Sequence, residues 1–304
     1  MWTRYFLLVL LFFIASCSDE AGRRTVDFSQ TIPTDQPVAK TAEPDTLRVA
    51  VGAMVSPKET LSYYQQLLEL IGGRLGKRVE LVQRKTYREV NDLLGKGEID
   101  LAFICSGPYA ATMDNPFELI ATPEIGGSHF YQAYLIVNEK GTFNNLEDLK
   151  GHTFAFTDPD SNTGCVVPLY WLAKMGERPE TFFRQVIYTY SHDNSIIAVA
   201  KGMVDGASVD GLVWDYFNKR NPALTSSTRI IRKSDHYGIP PLVASNRLPE
   251  DVKGRVRNLL FSLHNHDEGK KILDQLMIDR FVEPQDNWYD SIRQMQKSRD
   301  APRS

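Results

Sequence analysis

Polar residues follow three apolar segments, each at a point where a helical pattern begins. These junctions are Ser106-Gly107-Pro108-Tyr109, Ser161-Asn162-Thr163-Gly164 and Ser191-His192-Asp193-Asn194-Ser195. A helix N-terminus offers free backbone N–H groups and a partial positive charge, and one capping residue is enough to satisfy it. The additional hydroxyl, amide and imidazole groups therefore indicate a site that holds a small oxyanion.

Two further side chains define which oxyanion would suit this site. His192 offers either a hydrogen-bond donor or a positive charge that changes with pH. Asp210 ends a later apolar segment, where a carboxylate repels a fully ionised ligand but accepts one that carries a proton or an amine. A monoprotonated phosphorus oxyanion or an aminophosphonate meets that requirement. Tyr109, Tyr131 and Tyr134 offer apolar walls with a polar tip.

The segments before these junctions alternate between strand and helix patterns. A strand pattern from Leu47 to Gly52 precedes Ser56-Pro57-Lys58-Glu59, which predicts a capping box with proline at the first helical position. The apolar face predicted for that helix consists of Leu61, Tyr64, Leu68, Ile71 and Leu75. A second unit has a strand from Val79 to Val82, a capping box at Thr86-Tyr87-Arg88-Glu89 and a buried strand from Ile99 to Ile104.

A second set of strands follows a strand-like segment from Phe130 to Asn138. Its members run from Thr153 to Phe156, from Gln185 to Tyr190 and from Ala207 to Asp210, each before a helical pattern. Alternation of strands and helices is typical of parallel sheets covered by helices. Two such sets predict an α/β protein with two lobes.

An internal repeat relates the two sets. Lys96-Gly97-Glu98-Ile99-Asp100-Leu101-Ala102 is similar to Lys201-Gly202-Met203-Val204-Asp205-Gly206-Ala207. In both, a helix should end at lysine-glycine and a strand should begin near the aspartate. The match predicts that Cys105 and Asp210 occupy equivalent positions at the ends of two strands.

The first residues have the order of a secretory signal that ends in a lipidation site. Arg4 supplies a positive charge, Tyr5 to Ile14 is almost wholly apolar, and Ile14-Ala15-Ser16-Cys17 has the form of a bacterial lipobox. The apolar segment falls short of the roughly 20 residues that span a bilayer. We expect a signal peptide over residues 1–16, a lipid on Cys17, a flexible tether over residues 17–45, and a protein on the periplasmic side of a bacterial cell membrane.

Composition leaves ordinary globular protein as the class for the rest of the chain. Hydrophobic residues make up 42%, charged residues 24%, and the formal net charge is -3. This balance gives no basic surface for nucleic acid. With Cys17 assigned to lipid, Cys105 and Cys165 remain as a pair that is bonded, buried and unbonded, or facing a ligand.

In this combination the motifs resemble those of the phosphate-, phosphite- and phosphonate-binding proteins of ABC importers, the PhnD-like solute-binding family. The resemblance covers roughly Leu47 to Phe281. The segments that carry it are Asp100-Leu101-Ala102-Phe103 through Gly107-Pro108-Tyr109, Leu146-Glu147-Asp148-Leu149-Lys150-Gly151, Asp158-Pro159-Asp160-Ser161-Asn162-Thr163-Gly164, and Ser191-His192-Asp193-Asn194-Ser195 leading to Val204-Asp205-Gly206-Ala207.

The resemblance implies a fold of the type II periplasmic-binding-protein kind, with two α/β lobes and a cleft between them. Crossover strands would lie at about Phe130 to Asn138 and Pro241 to Ser245. One lobe would comprise residues 46–135 and 244–304, and the other residues 136–243. The protein would be a monomer without metal, cofactor or catalytic residue, and it would deliver its ligand to an ABC transporter permease. The predicted ligand-binding residues are Cys105, Ser106, Tyr109, Ser161, Asn162, Thr163, His192 and Asp210.

Cys105 departs from the family pattern and supports an alternative function. Similar periplasmic proteins that sense arsenite for a membrane histidine kinase carry a cysteine in this loop, because a thiolate suits As(III) better than phosphate does. The alternative is therefore a ligand sensor of the same fold that uses Cys105. Catalysis by Cys105 with His192 as its base lacks a third orienting group, and His264-Asn265-His266 lacks the spacing of a zinc site.

Overall fold

The computed structural model describes residues 46–112 and 116–300. The predicted signal peptide, lipidation site and tether lie outside the described residues. The strands are β1 (Thr46–Val51), β2 (Arg78–Val82), β3 (Leu101–Phe103), β4 (Phe117–Glu124), β5 (Phe130–Tyr131), β6 (Ala133–Asn138), β7 (Thr153–Phe156), β8 (Gln185–Tyr188), β9 (Gly206–Asp210), β10 (Thr228–Lys233), β11 (Tyr237–Gly238), β12 (Leu242–Ser245) and β13 (Arg280–Val282).

The α-helices are α1 (Pro57–Leu75), α2 (Tyr87–Gly95), α3 (Ser106–Ala111), α4 (Val167–Lys174), α5 (Pro179–Phe182), α6 (His192–Ala200), α7 (Gly211–Arg220), α8 (Pro222–Thr225), α9 (Glu250–Ser262), α10 (Asp267–Leu276) and α11 (Asp290–Asp300). A π-helical turn, Asn162–Val166, leads directly into α4. None of the helices in the described ranges combines the length and apolarity needed to cross a membrane.

The strands form two larger sheets, and each sheet is the centre of one lobe. Lobe 1 contains the sheet with strand order β13-β4-β12-β3-β1-β2, and lobe 2 contains the sheet with order β10-β6-β9-β7-β8. In lobe 1, β1 pairs in parallel with β2 and β3, whereas β12 and β13 are antiparallel to β4. In lobe 2, β7 pairs in parallel with β8 and β9, whereas β6 is antiparallel to β9 and β10. The sheets are therefore mixed, because chain segments that cross between the lobes enter them antiparallel to the βαβ strands.

Two chain segments, residues 125–132 and 234–241, connect the sheets. They pair with each other through β5 and β11, with Tyr131 opposite Tyr237 and Phe130 opposite Gly238. The lobe boundaries predicted at 135/136 and 243/244 fall inside β6 and β12. Gln132 separates β5 from β6, so the predicted strand from Phe130 to Asn138 is two strands.

The internal repeat predicted from the sequence corresponds to a repeated structural unit. Gly97 and Gly202 both have positive φ, at 70° and 66°, as a left-handed helix end requires. Asp100 Oδ2 accepts the backbone N–H of Arg48 in β1 at 2.7 Å, and Asp205 Oδ2 accepts that of Thr153 in β7 at 2.8 Å. Each aspartate thereby ties the start of one parallel strand to the start of its neighbour.

The C-terminal helix joins the cores of the two lobes. Ile292 and Met295 of α11 belong to one apolar cluster with Tyr109 and Ala102 of lobe 1 and Trp171 of lobe 2. A separate cluster lies between the lobe 1 sheet and helices α1, α9 and α10. Because α11 packs on both lobes, their relative position depends on buried apolar area as well as on the two connections.

Two of the local predictions for the first helices differ in outcome. The Thr86 capping box is present, since the Thr86 hydroxyl accepts the Glu89 N–H and the Glu89 carboxylate accepts the Thr86 N–H. At Ser56 the predicted capping box is wrong, because the Ser56 side chain makes no capping bond, but Pro57 is the first residue of α1 as predicted. The predicted apolar face of α1 is also partly wrong, since Leu61 is 49% exposed whereas Leu67 is fully buried.

This difference predicts unequal effects of two similar substitutions. Thr86→Ala should lower the free energy of unfolding by about 1 kcal/mol, the usual value of an N-cap side chain. Ser56→Ala should leave it within about 0.5 kcal/mol of wild type, because only the backbone of Ser56 is used. Urea denaturation followed by circular dichroism measures both, and equal losses would contradict the assignment of the caps.

Candidate functional site

Four helical segments begin in the cleft between the lobes, and their N-cap residues lie at strand ends. The N-caps are Cys105 before α3, Ser161 before the π-helical turn, Ser191 before α6 and Asp210 before α7. Backbone N–H groups at such positions lack partners within the helix and favour negative charge. The structure thus brings together the three junctions predicted from the sequence.

Tyr131 connects the junctions of the two lobes. Its hydroxyl lies 2.6 Å from Oγ of Ser106 and accepts a hydrogen bond from the Asn162 amide at 3.3 Å. Ser106, Asn162 and Tyr131 are all buried. The sequence predicts Tyr131 as an apolar wall with a polar tip, and the structure places that hydroxyl among the polar groups of the site.

Five buried polar side-chain atoms at this cleft have no hydrogen-bond partner within the described residues. These atoms are Tyr87 OH, Thr157 Oγ1, Asn162 Oδ1, Thr163 Oγ1 and Ser191 Oγ. A buried polar group without a partner costs about 1–3 kcal/mol, so such atoms are rare in native proteins. Their concentration in one place indicates that the cleft is built to bind a polar ligand.

The geometry of the π-helical turn depends on a glycine. A Cβ at Gly164 would lie 1.7 Å from Oγ1 of Thr157, at the end of β7. The Ser161 hydroxyl accepts the Gly164 N–H at 3.0 Å and so caps the turn. Ser161 therefore holds the loop, while Asn162 and Thr163 keep unpartnered polar atoms at the cleft.

His192 is a neutral group in this site. Its Nδ1 accepts the backbone N–H of Asp210 at 3.0 Å, and burial lowers its pKa to about 3. A neutral imidazole that accepts at Nδ1 carries its proton on Nε2. Of the two roles considered from the sequence, the hydrogen-bond donor remains and the switchable positive charge does not.

Asp210 is the acidic group of the site. Its Oδ1 accepts the N–H groups of Leu212 at 2.8 Å and Val213 at 3.4 Å, which caps α7. Burial raises its pKa to about 7, against an ordinary value of 3.8. The Asp210 charge also raises the pKa values of Tyr87 and Tyr131, which places these hydroxyls near it. At neutral pH the carboxyl can accept a proton from a ligand or donate one to it.

The two central titratable side chains, His192 and Asp210, have no lysine or arginine of the described residues among the groups that shift their pKa values. An anion here would be bound by hydroxyl, amide and backbone N–H donors. Neutral donors with fixed positions discriminate by hydrogen-bond pattern more than by net charge.

The two cysteines have different positions, and they form no disulfide within the described chain. Cys105 is buried in the cleft beside Tyr87, and the backbone N–H groups of Asn162 and Gly107 interact with its sulfur. Burial nevertheless raises its pKa to about 12, so the thiol is protonated. Cys165 lies in the π-helical turn, where the hydroxyl of Tyr188 interacts with it.

Tyr109 lies apart from this cluster. Its hydroxyl donates to Asp286 at 2.7 Å, and its ring packs edge-on against Tyr289. Tyr134 is also directed elsewhere, because its hydroxyl donates to Asp215 at 3.1 Å. Sequence reasoning missed Tyr87, although its place at the start of a helix after a strand was a usable signal.

Carboxylates of lobe 2 cap two helices of lobe 1 across the cleft. Asp193 of lobe 2 accepts the N–H of Ser56 at 2.8 Å, at the start of α1. Asp158 of lobe 2 accepts the N–H of Tyr87 at 3.1 Å, at the start of α2. Two helix N-termini of lobe 1 are thus satisfied by carboxylates of lobe 2, which describes a closed cleft.

Backbone contacts make this closure tight. The His192 N–H donates to the carbonyl of Met54 at 2.9 Å. A Cβ at Gly107 would lie 2.5 Å from the Asp160 carbonyl oxygen and 2.8 Å from the Asn162 nitrogen. Only glycine permits α3 to approach the lobe 2 loop this closely.

Two lobes joined by two strands around a polar cleft define a periplasmic binding protein of the type II class. Residues 49–289 match the model of the family described as ABC transporter, phosphonate, periplasmic substrate-binding protein. The chain belongs to this family of substrate-binding proteins. It is accordingly a binding protein and not an enzyme, as predicted.

Individual relatives agree with this assignment. The chain is 26% identical over 241 residues to the phosphate-import protein PhnD of Mycolicibacterium smegmatis, and the matched region covers 74% of each chain. It is similar to the binding protein of an ABC phosphonate transporter from Pseudomonas aeruginosa, with a TM-score of 0.79, 24% identity and coverage of 84% and 86%. PhnD1 of Prochlorococcus marinus with methylphosphonate has a TM-score of 0.74, 21% identity and coverage of 84% and 98%.

The buried pair Asp210 and His192 predicts a pH effect on stability. The pKa of Asp210 is 3.8 when unfolded and about 7 when folded, so its contribution to the free energy of unfolding decreases as pH rises through that window. Unfolded His192 gains a proton near 6.5 and folded His192 only near 3, so stability falls as pH decreases below about 6.5. The two slopes oppose each other between about pH 4 and 6.5.

Asp210→Asn should remove the decrease in stability with pH that Asp210 causes and leave the increase that His192 causes. The free energy of unfolding of this variant should rise from pH 4.5 to 6.5 more steeply than that of wild type, by up to about 1.4 kcal/mol per pH unit. Urea titrations at four pH values measure the slope. Asp235→Asn, at an exposed site, is the matched control. Parallel curves for wild type and Asp210→Asn would contradict the coupling.

Proposed function

We propose that the protein captures a small phosphorus oxyanion, namely a phosphonate, phosphite or phosphate, and delivers it to the permease of an ABC importer. The observation that carries this proposal is the group of unpartnered hydroxyl and amide atoms at helix N-termini in the cleft. Tetrahedral oxyanions present several acceptor oxygens on one side, which matches several convergent donors. Ser106 and Tyr131 would complete the set, and Ser161 would hold the loop.

Asp210 supports an anion that still carries a proton. With the carboxyl near its midpoint at pH 7, the ligand and Asp210 together would hold one proton in a shared hydrogen bond. A singly protonated phosphonate, phosphite or phosphate can supply that proton. Sulfate cannot, and its doubly negative charge would face a carboxylate.

The relatives point in the same direction. One is named a phosphate-import protein, and another has been solved with methylphosphonate. Both names describe those proteins, and the cleft residues of this chain support the same class of ligand. His192 would donate from Nε2, and Asn162, Thr163 and Ser191 would donate or accept around the anion.

The proposed place of action is the periplasmic face of a membrane, with lipid on Cys17 as the anchor. The lipobox Ile14-Ala15-Ser16-Cys17 supports it, and residues 18–45 would form a tether of about 28 residues. A random-coil tether of this length has a root-mean-square span of about 30 Å, which keeps the binding lobes near a membrane partner.

The anchor predicts a change of location in one variant. Wild type expressed in a Gram-negative host should fractionate with membranes and be released by detergent. Cys17→Ser should stay unlipidated and keep its signal peptide, so metabolic labelling with radioactive palmitate should disappear. Cys165→Ser serves as the control and should be labelled like wild type. Labelling of Cys17→Ser would exclude this anchor.

A second candidate function rests on Cys105. A ligand sensor of the same fold could bind arsenite through this buried thiol and present the closed state to a histidine kinase. Bond formation between arsenic and Sγ would release one hydroxyl of arsenious acid with the thiol proton as water. The position of the Cys105 thiol in the cleft beside Tyr87 favours it, whereas burial and the nearby Asp210 charge raise the pKa of the thiol and oppose it.

Ligand titrations distinguish the candidates. Phosphite, phosphate and methylphosphonate should raise the melting temperature of wild type at pH 7.5, since ligand at 100 times Kd stabilises by about 2.7 kcal/mol. Sulfate should have little effect. Thr163→Val should weaken binding about tenfold or more by removing a donor to a charged group, whereas exposed Thr181→Val should not.

Arsenite binding is tested by the same shift in melting temperature, measured under reducing conditions. Binding of arsenite that is lost in Cys105→Ser and retained in Cys165→Ser would establish the sensor chemistry. Stabilisation by phosphorus oxyanions in wild type and in Cys105→Ser alike would support the importer function. Absence of any response to phosphite, phosphate and phosphonates would refute the proposed function.

A further inference from the structure

An apolar chamber lies between the lobes next to the polar cleft. It has a volume of about 200 Å³, and its walls include Val51, Val55 and Phe103 of lobe 1 and Leu212 and Val213 of lobe 2. A dry apolar cavity of about 150 Å³ binds benzene. The chamber is therefore large enough for a hydrocarbon group of a few carbon atoms or one ring.

Two residues belong to both the chamber and the cleft. Asp210, at the end of β9, lines the chamber and acts electrostatically on the Tyr87 hydroxyl and Cys105. Met54 also lines the chamber, packs against Tyr87 and Cys105, and accepts the His192 N–H through its carbonyl. The chamber thus adjoins the polar atoms that would bind the anion.

We propose that the chamber receives the organic substituent of the ligand, so that this protein selects phosphonates with a short apolar alkyl or aryl group over phosphite and phosphate. This inference rests on the proposed function. A phosphonate has three oxygens on one side of phosphorus and one carbon on the other. With the oxygens at the unpartnered cleft atoms, the carbon chain can extend past Asp210 into the chamber.

The walls favour an apolar group over a charged one. Asp215 also lines the chamber, but it already accepts the Tyr134 hydroxyl at 3.1 Å and is held near Lys233. The walls also include the Asp210 carboxyl, which is half protonated near pH 7, and Tyr63, Tyr64 and Tyr216. Most neighbours of an ammonium group in the chamber would nevertheless be apolar, so the group would lose its hydration. Propylphosphonate should therefore bind more tightly than 2-aminoethylphosphonate, which has nearly the same length.

The test is calorimetric titration at pH 7.5 with phosphite and with methyl-, ethyl-, propyl-, butyl- and phenylphosphonate. Each methylene buried in the chamber should lower Kd about three- to fourfold, which makes butylphosphonate about 30-fold tighter or more than methylphosphonate. Phenylphosphonate should also bind more tightly than methylphosphonate. Equal or weaker binding with each added carbon would overturn the inference.

A variant of the chamber wall gives an independent test. Val213→Phe should fill part of the chamber, weaken butylphosphonate about tenfold or more, and leave phosphite within about threefold. Val213→Ala, at the same site, should leave phosphite unchanged and tolerate the longer chains. Thermal melts of both variants check that they fold. If Val213→Phe does not fold, Leu212→Phe provides the same test.

The outcomes separate the two proposals. Tight binding of phosphite without any gain from alkyl groups, or equal weakening of phosphite and butylphosphonate by Val213→Phe, refutes the chamber and leaves the oxyanion site intact. Absence of binding by phosphite and by every phosphonate refutes the proposed function itself. A stronger affinity for 2-aminoethylphosphonate than for propylphosphonate refutes the apolar preference.

Discussion

The hydrogen bond from the Asp210 backbone N–H to Nδ1 of His192 sets the chemistry of the cleft. It occupies the only lone pair of a neutral imidazole, so the ring proton stays on Nε2, and burial keeps the ring uncharged. The same bond holds α6 against the end of β9, where Asp210 starts α7 with its side chain. The Nε2 donor of His192, the Asp210 carboxyl and the start of α7 are therefore positioned together, and a change in one of them displaces the other two.

Closure of the lobes depends on this arrangement because the helix starts of both lobes meet in the cleft. Asp158 and Asp193 cap helices of the opposite lobe. These bonds exist only when the lobes are together, so part of the free energy of closure comes from the protein itself. The ligand then needs to supply the remainder through the cleft atoms that lack partners. Gly107 marks the limit of approach, since any side chain there would meet the lobe 2 backbone.

Recognition by neutral donors gives selectivity at the expense of long-range attraction. A site lined by arginines would attract phosphate and sulfate alike, whereas hydroxyl groups and one half-ionised carboxyl distinguish a protonated anion from an unprotonated one. In the proposed function, the apolar chamber beside these groups would add a second criterion, the substituent on phosphorus. Together the two surfaces would suit a ligand that is polar on one side and apolar on the other.

Some of this was determined by the sequence alone. The α/β class, the two sets of strands, the Thr86 cap, the glycine-aspartate repeat and the polar junctions at Ser106, Ser161 and His192 depend on residues a few positions apart. Capping and positive-φ glycines are such local effects, and the polar junctions follow from helix starts, so their patterns are visible in the sequence.

Only the tertiary structure decided the rest. Tyr87 and Tyr131 belong to the site, whereas Tyr109 donates to Asp286. Sequence spacing could not show these contacts, because Ser106 and Tyr131 are 25 residues apart in the chain and Tyr109 and Asp286 are 177 residues apart. Ser56 looked like a cap, but the cross-lobe contact with Asp193 uses its backbone instead. The neutral state of His192, the raised pKa values of Asp210 and Cys105, and the apolar chamber all follow from burial between two lobes. Burial and long-range contact are properties of the folded chain, which local spacing does not encode.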